Sequence, residues 1–257
     1  MKSTIDRRRF LRMALTGAPL VLAGDALAVE PQWLSVKTVR VGTATPTHRL
    51  VHISDLHYKG DEGYLREIVE QVNAQKPDFV CFTGDLVEQA SFLSGALAGL
   101  RGIHAPLYGV PGNHDFMARV NFRTVEESFA ATGGGWLSNR QAQTRDRQVN
   151  LIGMACDHEL LPSYKQAGMK NIVLMHYPAF VKKLGTPQLD LILAGHSHGG
   201  QVRLPWVGAL VLPDGVGEYD LGLYATAAGP LYVNPGLGYL NLDIRFNCRP
   251  EITVIEV

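Results

Sequence analysis

Leu189-Asp190-Leu191-Ile192-Leu193-Ala194-Gly195-His196-Ser197-His198 reads as a short buried strand running into a turn that carries two histidines. The apolar run has strand length rather than helix length, and a glycine stops it. Histidines two apart on such a turn can point both imidazoles at one cavity, and imidazole is the commonest neutral metal ligand. An isolated His-x-His is a weak signal. Its weight comes from the rest of the chain.

Working outward, the same pattern recurs four times. Asp55-Leu56-His57 follows Arg49-Leu50-Val51-His52-Ile53, and Gly84-Asp85 follows Phe79-Val80-Cys81-Phe82. Gly112-Asn113-His114-Asp115 follows Pro106-Leu107-Tyr108-Gly109-Val110, and His176 follows Asn171-Ile172-Val173-Leu174-Met175. Ligand sites of α/β sheets assemble at the carboxyl ends of strands. Five strand ends that all carry Asp, Asn or His therefore point to one shared site.

Taken in order, this set resembles the calcineurin-like metallophosphoesterases, over roughly residues 48 to 257. Ala194-Gly-His-Ser-His-Gly-Gly-Gln-Val-Arg-Leu-Pro205 and Arg245-Phe-Asn-Cys-Arg-Pro-Glu251 are similar to the exported phosphodiesterases of the YaeI/YkuE type. The resemblance implies an α/β fold in which two packed mixed β-sheets are flanked by helices. It implies two divalent metal ions, with Asp55, His57 and His198 on one and Asn113, His176 and His196 on the other. Asp85, whose carboxylate has two oxygens, is the expected bridge. Nitrogen and oxygen ligands without thiolate suit Mn, Fe or Zn. The resemblance implies that His114 protonates the leaving oxygen or stabilises the transition state, with Asp115 orienting its imidazole or capping the following helix. The reaction implied is attack of metal-activated water on a phosphodiester or phosphomonoester. No Gly-x-Ser-x-Gly or Walker-type loop offers another chemistry.

The chain has 257 residues, enough for one domain with a sizeable core, and its 46% hydrophobic and 19% charged residues are ordinary for a globular protein. Asp6-Arg7-Arg8-Arg9-Phe10-Leu11-Arg12, the apolar Met13 to Ala23 and the small-x-small Ala26-Leu27-Ala28 follow the order of a twin-arginine signal. Residues 1–28 are accordingly read as a signal peptide and 29–257 as the catalytic domain, exported by the twin-arginine machinery to the periplasm or the outer face of the cytoplasmic membrane. Without residues 1–28 the chain loses five of its 24 basic and two of its 24 acidic residues, leaving 19 against 22 and a formal charge of −3. No basic stripe remains for a nucleic acid. Cys81 reads as a packed core residue, and a Cys156–Cys248 bridge is open in an oxidising compartment.

Helices are expected at residues 62–74, where Leu65, Ile68, Val69 and Val72 share a face, and at 91–100, 120–131 and near 159–166. Strands are expected at residues 32–42 and 149–154. After His198 short strands follow at 202–204, 209–212, 231–233, 240–246 and 252–257.

Arg203 and Arg245 are candidate phosphate contacts, Asp157 a candidate partner of a ligand, and Tyr58 a candidate cleft residue. His48, His52, His104 and His158 read as structural or exposed. The uncharged Leu204-Pro-Trp-Val-Gly-Ala-Leu-Val-Leu-Pro213 is either a hairpin packed into the sandwich or an exposed patch around Trp206 suited to a lipid-linked substrate. No insertion is long enough for a cap domain. Two further readings stay open: pyrophosphate cleavage of a UDP-linked acyl-sugar, and a non-catalytic metal-binding envelope protein. Export argues against the first, whose nucleotide substrate is cytosolic, and His114 beside a full ligand set argues against the second.

Overall fold

A computed structural model of the chain describes Asp6, Arg8 and residues 23–156, 164–240 and 242–257. In chain order the first half runs β1 (Ser35–Arg40), β2 (Arg49–Ile53), α1 (Glu62–Ala74), β3 (Phe79–Phe82), α2 (Leu93–Leu100), β4 (Leu107–Gly109), α3 (Asn113–Met117), α4 (Phe122–Ala131) and β5 (Gly135–Trp136). The second half runs β6 (Gln141–Gln143), β7 (Val149–Gly153), β8 (Lys170–Leu174), β9 (Leu191–Ala194), β10 (Arg203–Leu204), β11 (Gly208–Ala209), β12 (Gly222–Thr226), β13 (Gly229–Val233) and β14 (Glu251–Glu256). Two six-stranded sheets result, ordered β1-β14-β2-β3-β4-β5 and β12-β13-β9-β8-β7-β6, with β10 and β11 as a separate hairpin. Both sheets mix parallel and antiparallel pairs, so the expected α/β sandwich is observed.

Period-two alternation explains the packing. Leu50 of β2, Phe79 and Cys81 of β3 and Ile255 of β14 meet Leu151, Ile172, Leu174, Leu191 and Leu193 between the sheets. Val51, Ile53, Val80 and Phe82 point the other way, onto Leu65, Ile68, Leu97 and Leu100 of the helices. Strands buried on both faces read as continuous apolar runs, which is how the sequence shows them. The first helix begins where the Asp61 carboxylate accepts the Tyr64 N–H, and its buried face is Leu65, Ile68, Val69 and Val72 as expected.

A polar seam crosses the sandwich. Asn234, fully buried, donates to Thr253 Oγ1 (2.9 Å) and to the carbonyls of His52 and Glu251, and accepts the Gly236 N–H at 2.7 Å. Tyr232 Oη donates to Glu251 Oε1 at 2.6 Å beside it.

Two expectations change here. The described residues of the 240–246 stretch form no strand beyond an isolated bridge of Phe246 to Val202. The Gln201 side chain accepts the Leu240 N–H and donates to the carbonyls of Leu242 and Ile244, so this backbone is satisfied by an amide rather than by a ladder. Apolar residues at every second position arose from lining one surface, not from a sheet. Tyr58 is largely core, buried against the ring of Phe92, and only its margin joins His57 in lining a small pocket. The helix expected near 159–166 falls largely outside the described residues, as do Asp157, His158 and most of residues 1–28. Of the latter, Ala26 and Glu30 just beyond it are buried on the C-terminal segment: the Ala26 carbonyl accepts the Arg245 N–H, and the Glu30 carboxylate accepts those of Asn247 and Cys248. The thiols of Cys156 and Cys248 face different carbonyls, those of Pro111 and His198.

Replacing Asn234 by Ala leaves the Gly236 N–H and the Thr253 hydroxyl short of a buried partner. The expected loss is about 2 kcal/mol of stability, read as a lowered urea midpoint with an unchanged m-value.

Candidate metal centre

Five strand ends open on one edge of the sandwich. Beyond β2 and β3 the chains stay together, with Asp55 N–H donating to the Gly84 carbonyl (2.9 Å) and His57 N–H to that of Asp85 (3.1 Å). Asp55, His57, Asp85, His196 and His198 all have left-handed backbones, with φ between 41° and 67°. Non-glycine residues take that conformation at a cost, and such strain gathers at functional sites. Glycines permit the closeness: a Cβ on Gly112 would fall on the Asp85 carboxylate, and one on Gly195 on Ser54 and Asp55.

The second sheet supplies His176 and His196. His176 Nδ1–H donates to the Thr83 carbonyl (2.7 Å), and His196 Nε2–H to that of Asp214 (2.7 Å). A carbonyl can only accept, so each bond fixes a tautomer and leaves a lone pair on the other nitrogen. Those two nitrogens, His176 Nε2 and His196 Nδ1, lie 3.0 Å apart. Asn113 Oδ1 is 2.9 Å from His176 Nε2, and Asp85 Oδ2 is 3.2 Å from it. Four electron pairs thus converge on one point. A proton can relieve only one pair of them. Burial lowers the His176 pKa, but the carboxylates of Asp85 and Asp55 outweigh it and push it up to about 9. A divalent cation satisfies all four donors together.

A second cluster adjoins the first. His57 Nε2 faces His198 Nε2 at 3.2 Å, and Asp55 Oδ1 lies 3.5 Å from the latter. Asp85 Oδ2, buried and without a hydrogen-bond partner, is 3.5 Å from His57 Nε2, so it stands between the clusters. Asp55-His57-His198 and Asp85-His176-His196 each offer ligand atoms within 4.8 Å of one another. The donor set therefore fits two divalent ions sharing Asp85. All seven residues expected as ligands come together.

His114 stands at the exposed side. Its backbone N–H donates to Asp85 Oδ1 (2.8 Å), and its ring packs edge-on to His57 with centroids 4.9 Å apart. Asp115 does not orient it. Its carboxylate is fully buried and accepts the N–H groups of Asp85, Leu86 and Gly112, so it ties the second and third strand-end loops together. Neither expected role is met as stated: Asp115 lies inside α3 rather than capping a helix that starts at Phe116, and from there its carboxylate takes the amide of Gly112, the residue that does precede the helix.

The two arginines also differ from expectation. Arg245 is fully buried and donates to the carbonyls of Pro235, Gly236, Gly238 and Cys248, so no donor is left facing the cleft. Arg203 is held by Asp220 (2.8 Å) and by the Gly199 carbonyl (2.7 Å), bracing the His198 turn instead of presenting itself to phosphate. One residue was missed. Glu88 Oε1 lies 3.3 Å from His57 Nδ1 and forms a third cluster with His57 and His114. The available signal was its place three residues after Asp85 on the same loop.

Residues 48–200 match the model of the calcineurin-like phosphoesterase family. The chain is 30% identical to the uncharacterized metallophosphoesterase YkuE of Bacillus subtilis, over 98% of each chain. It is also 30% identical to phosphodiesterase YaeI of Escherichia coli, over 98% of this chain and 99% of that one. Identity to the UDP-2,3-diacylglucosamine pyrophosphatase LpxG of Chlamydia trachomatis is 25%, over 81% of this chain and 83% of that one. With its converging ligands and this coverage, the chain belongs to the calcineurin-like phosphoesterase family and is a metal-dependent phosphoric ester hydrolase.

Proposed function

We propose that this protein is an exported phosphodiesterase working with two divalent ions, of Mn, Fe or Zn. The observation that carries the reading is Asp85 Oδ2, buried without a hydrogen-bond partner between two histidine-carboxylate clusters, with His114 beside them. Two such ions, when bound, supply positive charge for the phosphoryl oxygens and acidify the attacking water. As the new P–O bond forms, the bond to the leaving oxygen breaks opposite it. His114 stands where a substrate enters and gives that oxygen its proton. Glu88, facing both histidines, keeps the His57 ring turned inward. Among the described residues no inserted domain covers the site, which leaves space for substituents on both sides of a diester. The name of LpxG supports a second reading, cleavage of a pyrophosphate within an acylated nucleotide-sugar, by the same attack at phosphorus.

Export rests on Arg7-Arg8-Arg9, the apolar run after it and Ala26-Leu27-Ala28. A cut after Ala28 would retain Glu30 and its hold on Asn247 and Cys248.

Exhaustive chelation should abolish hydrolysis of bis-nitrophenyl phosphate, and added Mn should restore it. Asp85→Ala should lose bound metal and turnover together. His114→Ala should keep its metal by elemental analysis while kcat falls about 10²- to 10⁴-fold on a poor leaving group, and less on nitrophenolate. Full activity after chelation overturns the reading, and turnover of UDP-2,3-diacylglucosamine alone would favour the second one. Replacing Arg7, Arg8 and Arg9 by Lys should hold the precursor in the cytoplasm, as fractionation and immunoblotting would read; normal export of that variant removes the targeting claim.

A further inference from the structure

An open groove of 490 Å³ lies next to the candidate metal centre, with His198 in its lining. Leu210, Val211 and Leu212 wall one side; Leu240, Leu242 and Ile244 wall the other. Ser197 and His198 also line it, and His198 is its one ionisable lining residue among those described. The groove therefore borders one of the candidate ligands, His198. Its first wall is also tied to them, because the Asp214 carbonyl just beyond that wall takes the His196 Nε2–H. A sugar or nucleoside placed here would meet aliphatic walls and leave its polar groups unpaired. A hydrocarbon chain would be matched along its length.

The hairpin of β10 and β11 gives a second, independent sign. Its tip is Pro205-Trp206-Val207. Trp206 is fully exposed, with φ +63, a backbone position that hairpin tips normally give to Gly or Asn. Val207 next to it is 70% exposed, and Val211, just past the second strand of the hairpin, is 76% exposed. The indole gains no burial in return for the strained backbone. Tryptophan with aliphatic neighbours is the composition that seats a protein at a lipid-water interface.

We propose that the groove is the chain-binding subsite for a lipid phosphoester, its phosphate at the metal centre and its acyl or alkyl chain between the two leucine-rich walls. The Trp206 hairpin rests in the lipid surface from which that chain is drawn. This builds on the phosphoester reading above and narrows its substrate to one with a long apolar chain.

The test compares p-nitrophenyl methyl phosphate with p-nitrophenyl dodecyl phosphate below its micellar concentration, on the Mn-loaded full chain. Each methylene buried is worth about fourfold, so kcat/KM for the dodecyl ester should exceed that for the methyl ester by about tenfold or more. Leu242→Asp and Val211→Asp should bring that ratio toward one. Trp206→Ser should reduce co-sedimentation with vesicles of equal parts phosphatidylethanolamine and phosphatidylglycerol. A wild-type ratio near one, or a high ratio that both Asp variants leave intact, overturns the subsite. Absence of vesicle binding by the wild type overturns the seating of the hairpin. If neither ester is cleaved, the phosphoester reading itself falls. Calorimetry with dodecyl and methyl phosphate then decides the groove: tighter dodecyl binding that Leu242→Asp removes supports it, and equal binding overturns it.

Discussion

Electron pairs that face one another in a dry interior repel, and here four of them do so around His176 Nε2. In a low-dielectric setting such an arrangement persists only if positive charge sits among the pairs. Much of the surrounding structure keeps them in place. The carbonyls of Thr83 and Asp214 choose the histidine tautomers, and Asp115 fastens three backbone amides from two loops. Gly84, Gly112 and Gly195 let loops approach more closely than any side chain would allow. A left-handed backbone at a non-glycine residue costs on the order of 1–3 kcal/mol. Five such residues on one edge are tolerable because the strands leading to them are buried on both faces.

Support from behind is polar but not catalytic. Arg245 gathers the carbonyls of the Pro235–238 turn, and Asn234 holds the amide of Gly236 in the same turn. That turn in turn grips the first ligand loop: Leu237 N–H donates to the Ser54 carbonyl and Gly238 N–H to that of Asp55. An arginine in a late, conspicuous motif thus serves the site from below, through backbone, without touching substrate space.

Much of this was legible in the sequence. Strands buried on both faces announce themselves as apolar runs, and the polar residues at their ends are adjacent in sequence to those runs, so the sandwich and the residues that converge at its edge could be read together. The helix at Glu62–Ala74 was legible because one face repeats with helical period and Pro77 lies beyond its end. Interactions between distant segments were not legible. Nothing near Asp115 says that its carboxylate will be spent on the amides of Asp85 and Leu86, about thirty positions back. Nothing near Leu240 says that Gln201 will satisfy its backbone and so mimic strand alternation without a strand. Glu88 and the two arginines belong to the same class, since a charged residue is assigned by what it meets in space. The exposure of Trp206 likewise depends on whether any other segment covers the hairpin.

Asp55, His57, Asp85 and Asn113 hang from the first sheet, while His176, His196 and His198 hang from the second. Each cluster therefore draws from both sheets, and an ion bound there acts as a staple across the sandwich. Ion occupancy and the closure of one sheet on the other become a single linked equilibrium. Whatever loosens the apolar layer between the sheets also weakens ion retention, even from the far end of the molecule. Conversely, an ion seated during folding fixes the register in which the two halves meet.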